Sequence, residues 1–436
     1  MTEASSKDLY HPVRAWLGTP RPGGKPSTPK RAEPRRLRRR AIALLLAMAT
    51  LLILTPRLEC QSPTPSHLPP GFVGRSGTNF VMDGKTFNVA GVNNHYLTYG
   101  SNQEVIRVLD DAVAMHANVI RTFIQPVIGS LDGTTVPAVW NWRRRALSSD
   151  LGTNGIYMLY WDTKTGSMAI NDGPDGLQRL DFLLAEARKR DLKLIIAFLD
   201  FWSYTGGAQQ MRAWYGSKDE RTFFAQDPRT VGDYKQWIRH VVTRVNSITG
   251  VPYAADATVF AWELMNEPDL QPPSLLRAWI AESSAFVKDI DPQHMVATGH
   301  ANLYDRFADL EIATIDFGTW HGYPIYFRVT PEVMNEEIGE FCEIGRKYAK
   351  PMLWEEFGWA RSNPGHVDVY RKWLDTVYND KNCAGWLVWR LVSLQDIGRY
   401  PLDNHDQFDV HNDNGPLWQT LKAAALRLRE RPTPLP

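Results

Sequence analysis

The chain has 436 residues, 43% of them hydrophobic, which is enough to bury the core of one large α/β domain. Residues 1–60 hold 12 Lys and Arg against 4 Asp and Glu, whereas the remainder holds 37 against 44. Because the positive excess is confined to the N-terminus, the folded part is mildly acidic, and we exclude nucleic acid as its partner. No Cys or His spacing matches a metal site, so we expect neither a metal nor a cofactor.

A basic segment and an apolar run stand at the N-terminal end. Residues 35–40 include five arginines and directly precede the fourteen residues 41–54, in which Thr50 is the one polar side chain. This order is typical of a secretory signal, and the run is shorter than the about 20 residues that a membrane span needs. We expect residues 1–60 to direct export to the cell exterior or the periplasm, with an uncleaved membrane anchor at residues 41–54 as the alternative. The Ser- and Pro-rich residues 61–71 are typical of a linker.

The first folded element after the linker is predicted to be a β-hairpin. Residues 79–82 and 85–87 are β-prone, and they flank Asp83-Gly84, a dipeptide that favours two-residue turns. Strand and helix patterns then alternate. Apolar strand-like runs occupy residues 87–92, 118–123, 192–198, 258–264, 295–298, 315–319, 352–354 and 385–389. Helical periodicity occupies residues 104–115, 176–190, 233–248, 275–290, 367–378 and 417–427.

The eight predicted strands are continuous apolar runs, as expected for strands that are buried on both faces of a parallel sheet. Their alternation with helices predicts a (β/α)8 TIM barrel, an α/β fold, over residues 72–430, with the hairpin at its N-terminus. Residues 125–175 break the alternation and are predicted to form a long loop after the second strand.

Two predicted strands end at a glutamate. Glu267 closes the run Trp-Glu-Leu-Met-Asn-Glu-Pro at residues 262–268, and Glu356 stands in Glu-Glu-Phe-Gly at residues 355–358. Catalytic groups of parallel barrels lie at the C-terminal strand ends, and two carboxylates there suggest the acid/base and nucleophile of a retaining glycosidase. We interpret Glu263 and Glu355 as decoys, because a strand alternates its faces and both are offset from the motif positions.

Polar and aromatic side chains recur at the other strand ends, as a sugar site requires. They are His95, Tyr96, Arg121, Trp202, His321, Tyr323 and Trp389. The alternatives without a functional role are that Trp202 and Trp389 belong to the core and that His95 and Tyr96 are structural.

These motifs resemble glycoside hydrolase family 5, and especially its endo-β-1,4-mannanases. The resemblance covers about residues 78 to 425. It is carried by residues 91–94, 118–122, 176–181, 244–246, 260–268, 316–317, 321, 323–324 and 355–358. It implies hydrolysis of β-1,4-mannosidic bonds in mannan-type polysaccharides by double displacement.

The resemblance also implies a role for each site residue. Glu267 is the expected acid/base and Glu356 the expected nucleophile, with Asn266 bonding the 2-hydroxyl of the sugar and Arg121 keeping Glu356 ionised. His321 and Tyr323 are expected to orient the two carboxylates, Trp389 to stack under the scissile sugar, and Trp202 to contact substrate. A guanidinium lowers the pKa of a nearby carboxyl, and a facing carboxylate keeps an acid protonated.

Several points stay open at this level. Asp200 replaces an expected Asn before Phe201-Trp202, and Ile325-Tyr326 replaces an expected Asp and Trp, so a β-glucanase or an exo-acting β-glycosidase is an alternative. A non-catalytic carbohydrate-binding barrel is a further alternative.

Cys342 and Cys383 either form a disulfide or are two buried free thiols. We expect a monomer whose partner is a polysaccharide or oligosaccharide, with membrane contact only through an N-terminal anchor.

Overall fold

A computed structural model describes residues 68–135, 139–141, 146–148, 155–302, 308–401 and 406–432. The basic leader at residues 1–60 and most of the linker at residues 61–71 lie outside these ranges, so both remain predictions. In the part of the chain that the structure describes, no helix is long and apolar enough to cross a membrane.

The described residues form sixteen strands. They are β1 (Val73–Ser76), β2 (Asn79–Met82), β3 (Lys85–Thr86), β4 (Val89–Asn93), β5 (Val119–Phe123), β6 (Val127–Ser130), β7 (Val139–Asn141), β8 (Ala146–Ser148), β9 (Leu159–Asp162), β10 (Ser167–Ile170), β11 (Lys193–Ala197), β12 (Val259–Glu263), β13 (Met295–Ala297), β14 (Gly318–Gly322), β15 (Met352–Phe357) and β16 (Cys383–Val388). The helices span Asn102–Ala114, Gln178–Lys189, Gly207–Trp214, Phe223–Gln226, Pro228–Val242, Pro273–Ile290, Pro324–Phe327, Pro331–Tyr348, His366–Asn379 and Pro416–Arg429.

Eight parallel strands form the central sheet, in the order β13-β12-β11-β5-β4-β16-β15-β14. The two outer strands of this order meet through Asp316, whose N–H donates to Val296 O and whose Oδ2 accepts from Val296 N, both at 2.8 Å. The sheet therefore closes into the predicted (β/α)8 barrel. The sixth barrel strand begins three residues later than expected, at Gly318, so His321 lies within the strand.

The predicted N-terminal hairpin is confirmed. Strands β2 and β3 pair antiparallel across Asp83 and Gly84, whose φ angles of 50° and 75° suit a two-residue turn. Phe80 of β2 is fully buried and packs edge-on against Phe260 and Phe317 of the barrel, with ring centroids 5.0 and 5.1 Å apart. The hairpin thus covers the end of the barrel opposite to the strand ends that carry Glu267 and Glu356.

Residues 125–175 are not the long loop that we expected. Strands β6, β9 and β10 form a separate three-stranded sheet, and β7 pairs with β8. Val127, Leu159 and Met168 of the first of these sheets are buried against the main core. Apolar contact with the barrel, which local propensity does not reveal, stabilises this insertion.

One long helix was missed by the sequence analysis. Pro331–Tyr348 starts with Pro at its first turn, and its N-cap Thr330 accepts a hydrogen bond from Val333 N. Its buried side chains recur at Met334, Ile338 and Cys342, a helical spacing that was available in the sequence.

The two alternatives for Cys342 and Cys383 are resolved by this helix. It places Cys342 beside Cys383 at the start of β16, where the two residues form a disulfide with a Cα–Cα distance of 4.9 Å. Both side chains are fully buried.

Candidate active site

A cluster of charged side chains fills the C-terminal end of the barrel. Arg121 comes from the middle of β5, Glu263 from the last position of β12, His321 from β14, and Glu355 and Glu356 from β15. Asn266 and Glu267 follow β12. Asn266 N donates to Leu199 O and Glu267 N donates to Gly299 O, both at 2.8 Å, so the backbone after β12 stays bonded to the segments that follow β11 and β13. The glutamates of the two sequence motifs, together with Asn266, therefore meet in one place.

Arg121 is fully buried, and each of its N–H groups has an acceptor. Nε donates to Glu263 Oε2 at 2.7 Å, and Nη2 donates to Glu263 Oε1 at 2.6 Å and to Asn266 Oδ1 at 2.8 Å. Nη1 donates to Glu356 Oε1 at 2.5 Å and to Asn93 Oδ1 at 3.1 Å. A guanidinium has five N–H groups, so no donor is left over. This one side chain fixes Glu356 and Asn266 relative to each other.

Glu356 has two further partners. Tyr323 donates its hydroxyl to Glu356 Oε2 at 2.6 Å, and His321 Nδ1 lies 3.5 Å from the same oxygen. Burial raises the pKa of Glu356, and the charges of His321 and Arg121 oppose that rise without cancelling it. Arg121 therefore acts in the expected direction, but the net direction is upward because the carboxyl is only 4% exposed.

Glu267 is held by two donors. His321 Nδ1 lies 2.6 Å from Glu267 Oε1, and Trp202 Nε1 donates to Glu267 Oε2 at 2.7 Å. Burial raises the pKa of Glu267, but these hydrogen bonds and the charge of His321 outweigh it, so the net direction is downward. His321 itself loses proton affinity through burial and gains more from Glu356, Glu267 and Glu355, which brings its pKa to about 10.

The order of the two carboxyl pKa values in the ligand-free site is thus opposite to our expectation. We had expected Arg121 to lower the pKa of Glu356, and the negative charge of Glu356 to raise the pKa of Glu267. This expectation left out the imidazolium of His321, which contacts Glu267 more closely than Glu356, at 2.6 Å against 3.5 Å. The proton that an acid needs is therefore held next to Glu267, on His321.

Glu263 and Glu355 are not decoys. Both are fully buried inside the barrel, with Glu263 accepting two hydrogen bonds from Arg121 and Glu355 Oε1 at 3.6 Å from Arg121 Nε. The register between β14 and β15 shifts from Trp320–Trp354 to His321–Glu356, so one extra residue of β15 is accommodated. This bulge lets the consecutive glutamates 355 and 356 both reach the interior.

Asp200, which the sequence analysis named only as a departure from an expected Asn, also lies in the charged cluster. Its Oδ1 accepts a hydrogen bond from Asn266 Nδ2 at 2.8 Å, while Asn266 Oδ1 accepts from Arg121. The Asn266 amide is therefore held from both sides, which leaves one N–H of its NH2 group for a ligand. Burial raises the pKa of Asp200 to about 7.

Aromatic side chains surround the charged cluster. Trp389 is half-buried after β16, stacked on Phe123 with ring centroids 6.2 Å apart, and Trp202 is half-buried above Glu267. Tyr323 stacks on Phe408 at 5.3 Å. Partial exposure next to the carboxylates suits ring faces that contact a sugar.

His95 and Tyr96 have structural contacts. Arg390 Nη1 lies 2.7 Å from His95 Nδ1, and burial followed by the charge of Arg390 lowers the pKa of that imidazole. Tyr96 accepts a hydrogen bond from Ser393 N at 3.0 Å. Both residues therefore connect the segment after β4 to the segment after β16.

Two groups of described side chains have spacing that could accept a cation: Glu267 with His321 and Glu356, and Asp380 with Cys342 and Cys383. The imidazole of the first group carries a proton at neutral pH, since its pKa is about 10, and an imidazole binds a metal only in its neutral form. The sulfurs of the second group are joined to each other. We assign a metal to neither group.

Comparison with known proteins gives consistent results. The model of a glycoside hydrolase family 5 β-mannosidase-like domain matches residues 174–384. A probable mannan endo-1,4-β-mannosidase A of Aspergillus flavus is 31% identical over 79% of this chain and 86% of the relative. Mannan endo-1,4-β-mannosidase A of Aspergillus aculeatus is 31% identical over 83% of this chain and 92% of the relative.

Solved structures agree with the sequence relatives. The endo-1,4-β-mannanase of Rhizomucor miehei superposes with a TM-score of 0.69 at 26% identity, covering 82% of this chain and 99% of that structure. The endo-β-1,4-mannanase of Thermotoga petrophila gives a TM-score of 0.66 at 28% identity, covering 80% and 78%. The barrel, the paired carboxylates and these relatives together show that the chain belongs to glycoside hydrolase family 5.

Proposed function

We propose that this protein is a retaining glycoside hydrolase that cleaves internal β-1,4-mannosidic bonds in mannan-type polysaccharides. The observation that carries the proposal is the pair Glu267 and Glu356 at the C-terminal end of the barrel, with oxygen atoms within 4.8 Å of each other. Retaining glycosidases place their carboxyl groups about 5–5.5 Å apart, whereas inverting enzymes need about 6.5–9.5 Å to admit a water. The spacing therefore favours double displacement.

In the first step, a carboxylate oxygen of Glu356 attacks the anomeric carbon as the glycosidic C–O bond breaks. Glu267 gives a proton to the departing oxygen, and a covalent glycosyl-enzyme forms. In the second step, Glu267 takes a proton from water, the water oxygen bonds to the anomeric carbon, and Glu356 leaves. Two inversions at one carbon give net retention.

The surrounding contacts suit this cycle. Arg121 and Tyr323 hold the two oxygens of Glu356 through separate hydrogen bonds, so its orientation is set before substrate arrives. Asn266 keeps one amide N–H for the 2-hydroxyl of the bound sugar, as the resemblance implies. Glu267 must carry a proton when the bond breaks, and His321 supplies a proton store in direct contact with it.

The choice of mannan and of internal cleavage follows the relatives, whose names specify endo-acting mannan hydrolysis. Mannosidase structures at 19–20% identity share only the fold and do not favour an exo-acting enzyme. A purely carbohydrate-binding barrel is disfavoured because binding does not require a matched acid and nucleophile.

We also propose that the protein is exported, and the monomeric state expected from the sequence stays a prediction. The supporting observations are the signal-like residues 1–60 and the Cys342–Cys383 disulfide, a bond that forms and persists in oxidising compartments.

The nucleophile assignment predicts that Glu356→Ala reduces hydrolysis of mannohexaose to background, because no glycosyl-enzyme can form. Added azide should restore partial turnover and yield a glycosyl azide of inverted configuration. Glu343→Ala is the matched control, since Glu343 is an exposed glutamate on the Pro331–Tyr348 helix. Unchanged activity in Glu356→Ala would refute the assignment.

The short separation of the carboxylates predicts retention of configuration. Proton NMR of the first product released from mannohexaose should show the β-anomer before mutarotation mixes the signals. An α-anomer as the first product would rule out double displacement.

Substrate preference is predicted to favour mannose. Mannose differs from glucose at the axial 2-hydroxyl, and Asn266 is the amide placed for that oxygen. We expect kcat/KM on mannohexaose to exceed that on cellohexaose by at least about tenfold, which equals roughly 1.4 kcal/mol of transition-state preference. Equal or faster cleavage of cellohexaose would contradict the mannanase assignment but not the glycosidase assignment.

The export proposal predicts that protein recovered outside the cytoplasm contains the Cys342–Cys383 bond. Peptide mapping without reduction should find these two cysteines in one linked peptide. N-terminal sequencing of the same sample distinguishes a cleaved leader from an intact anchor at residues 41–54. Protein that remains in the cytoplasm with both thiols free would contradict export.

A further inference from the structure

A buried carboxyl pair lies beneath the proposed catalytic residues and takes no direct part in double displacement. Glu263 and Glu355 are both fully buried. All five donors of Arg121 are already used, so Arg121 cannot donate to Glu355, whose Oε1 is 3.6 Å from Arg121 Nε. Among the described residues, none is within hydrogen-bond geometry of Glu355 Oε1, although this atom is buried.

A proton on Glu263 gives this pair of carboxyl groups the donor that two ionised groups lack. The two carboxyl groups are in hydrogen-bond contact, and a neutral Glu263 donates to Glu355 while it still accepts from Arg121. Burial raises the pKa of Glu263, with a further rise from Glu355, to about 8, so Glu263 is mainly protonated at neutral pH. The same contact and the charges of Arg121 and His321 lower the pKa of Glu355, although burial opposes this. Glu355 therefore carries the negative charge of the pair.

Glu355 is connected to the proposed acid through one imidazole. His321 Nε2 lies 3.4 Å from Glu355 Oε2, and His321 Nδ1 lies 2.6 Å from Glu267 Oε1. A ring that donates from both nitrogens is an imidazolium. The negative charge of Glu355 stabilises that form and fixes the plane of the ring.

We propose that Glu355 is a positioning residue for general acid catalysis, which acts on Glu267 through His321 and depends on Glu263 as its hydrogen-bond donor. This inference rests on the proposed glycosidase function. The carboxylate keeps a proton on the His321–Glu267 pair, and this is the proton that the leaving sugar needs. The carboxyl groups that act on His321 are Glu267, which follows β12, and Glu355 and Glu356 of β15. These carboxyl groups interact in turn with Glu263 of β12, Arg121 of β5 and Tyr323 after β14.

Two other roles would give different kinetics. If Glu355 acted on the nucleophile through Arg121, its removal would slow every substrate equally, because attack by Glu356 is common to all of them. A purely structural role would also slow all substrates together. A role in acid catalysis affects only substrates whose leaving group needs a proton.

The first experiment compares Glu355→Gln with the parent on two substrates. Cleavage of mannohexaose expels a sugar, which is a poor leaving group and needs the acid. Cleavage of 4-nitrophenyl β-mannobioside releases a nitrophenolate, which leaves with little help. We expect kcat/KM to fall about tenfold or more on mannohexaose and by no more than about threefold on the aryl substrate. Glu267→Ala is the reference for complete loss of the acid and should show the same bias more strongly. Equal losses on the two substrates would overturn the proposal.

The second experiment is the pH dependence of kcat/KM on mannohexaose. The basic limb reports loss of the proton shared by His321 and Glu267, and a nearby negative charge raises the pKa of that proton. Glu355→Gln should therefore move the basic limb toward lower pH, by about one unit or more. Glu263→Gln keeps a neutral donor toward Glu355, so its basic limb should move less than half as far. A larger shift in Glu263→Gln than in Glu355→Gln would contradict the assignment of the proton to Glu263.

A third measurement does not require catalysis. In the parent protein labelled with ¹⁵N at histidine, with His321→Gln used to assign the signal, the imidazole of His321 should remain protonated at pH 8. A neutral imidazole at pH 7 would overturn the proposal. If the parent cleaves neither substrate, the proposed function fails, while this titration still tests the charge of His321.

Discussion

The proposed active site depends on Arg121, because one buried guanidinium binds the proposed nucleophile Glu356, the amide of Asn266 and the deeper carboxyl of Glu263 at the same time. Its fork geometry is rigid, so Glu356 and Asn266 are placed relative to each other without help from flexible loops. A lysine at this position would supply three donors from a single point and could not hold both groups in a plane. Asp200 completes the arrangement by holding the other side of the Asn266 amide.

Burying this many charges is stable only if they compensate one another. Four glutamates, one arginine and one histidine share the barrel end, and four carboxylates against two cations would leave an uncompensated negative charge in a low-dielectric site. The two cations, Arg121 and the imidazolium of His321, balance two of the four negative charges, and a proton on Glu263 removes a third. The directions of the pKa shifts are therefore properties of the network, and no single neighbour determines them.

Catalytic function places two demands on this network. In the proposed cycle, Glu356 must be ionised to attack, and Glu267 must have a proton to give, although both lie in contact with His321. The different distances from His321 to the two carboxylates, and the separate bonds from Tyr323 and Trp202, make their environments unequal. Unequal environments are what allow two identical side chains to serve as acid and nucleophile.

The sequence by itself determined the barrel, its N-terminal hairpin and the two glutamates at strand ends, because buried strands, turn dipeptides and chain breaks at Pro and Gly are local patterns. Only the tertiary structure decided that Cys342 and Cys383 pair, that residues 125–175 fold into strands against the barrel, and that Glu263 and Glu355 belong to the site. Strand alternation predicted that Glu355 points away from Glu356, but the shift in register between β14 and β15 turns both inward. The proton balance around His321 was equally hidden, since it depends on groups from four strands that are far apart in the chain and meet only when the barrel closes.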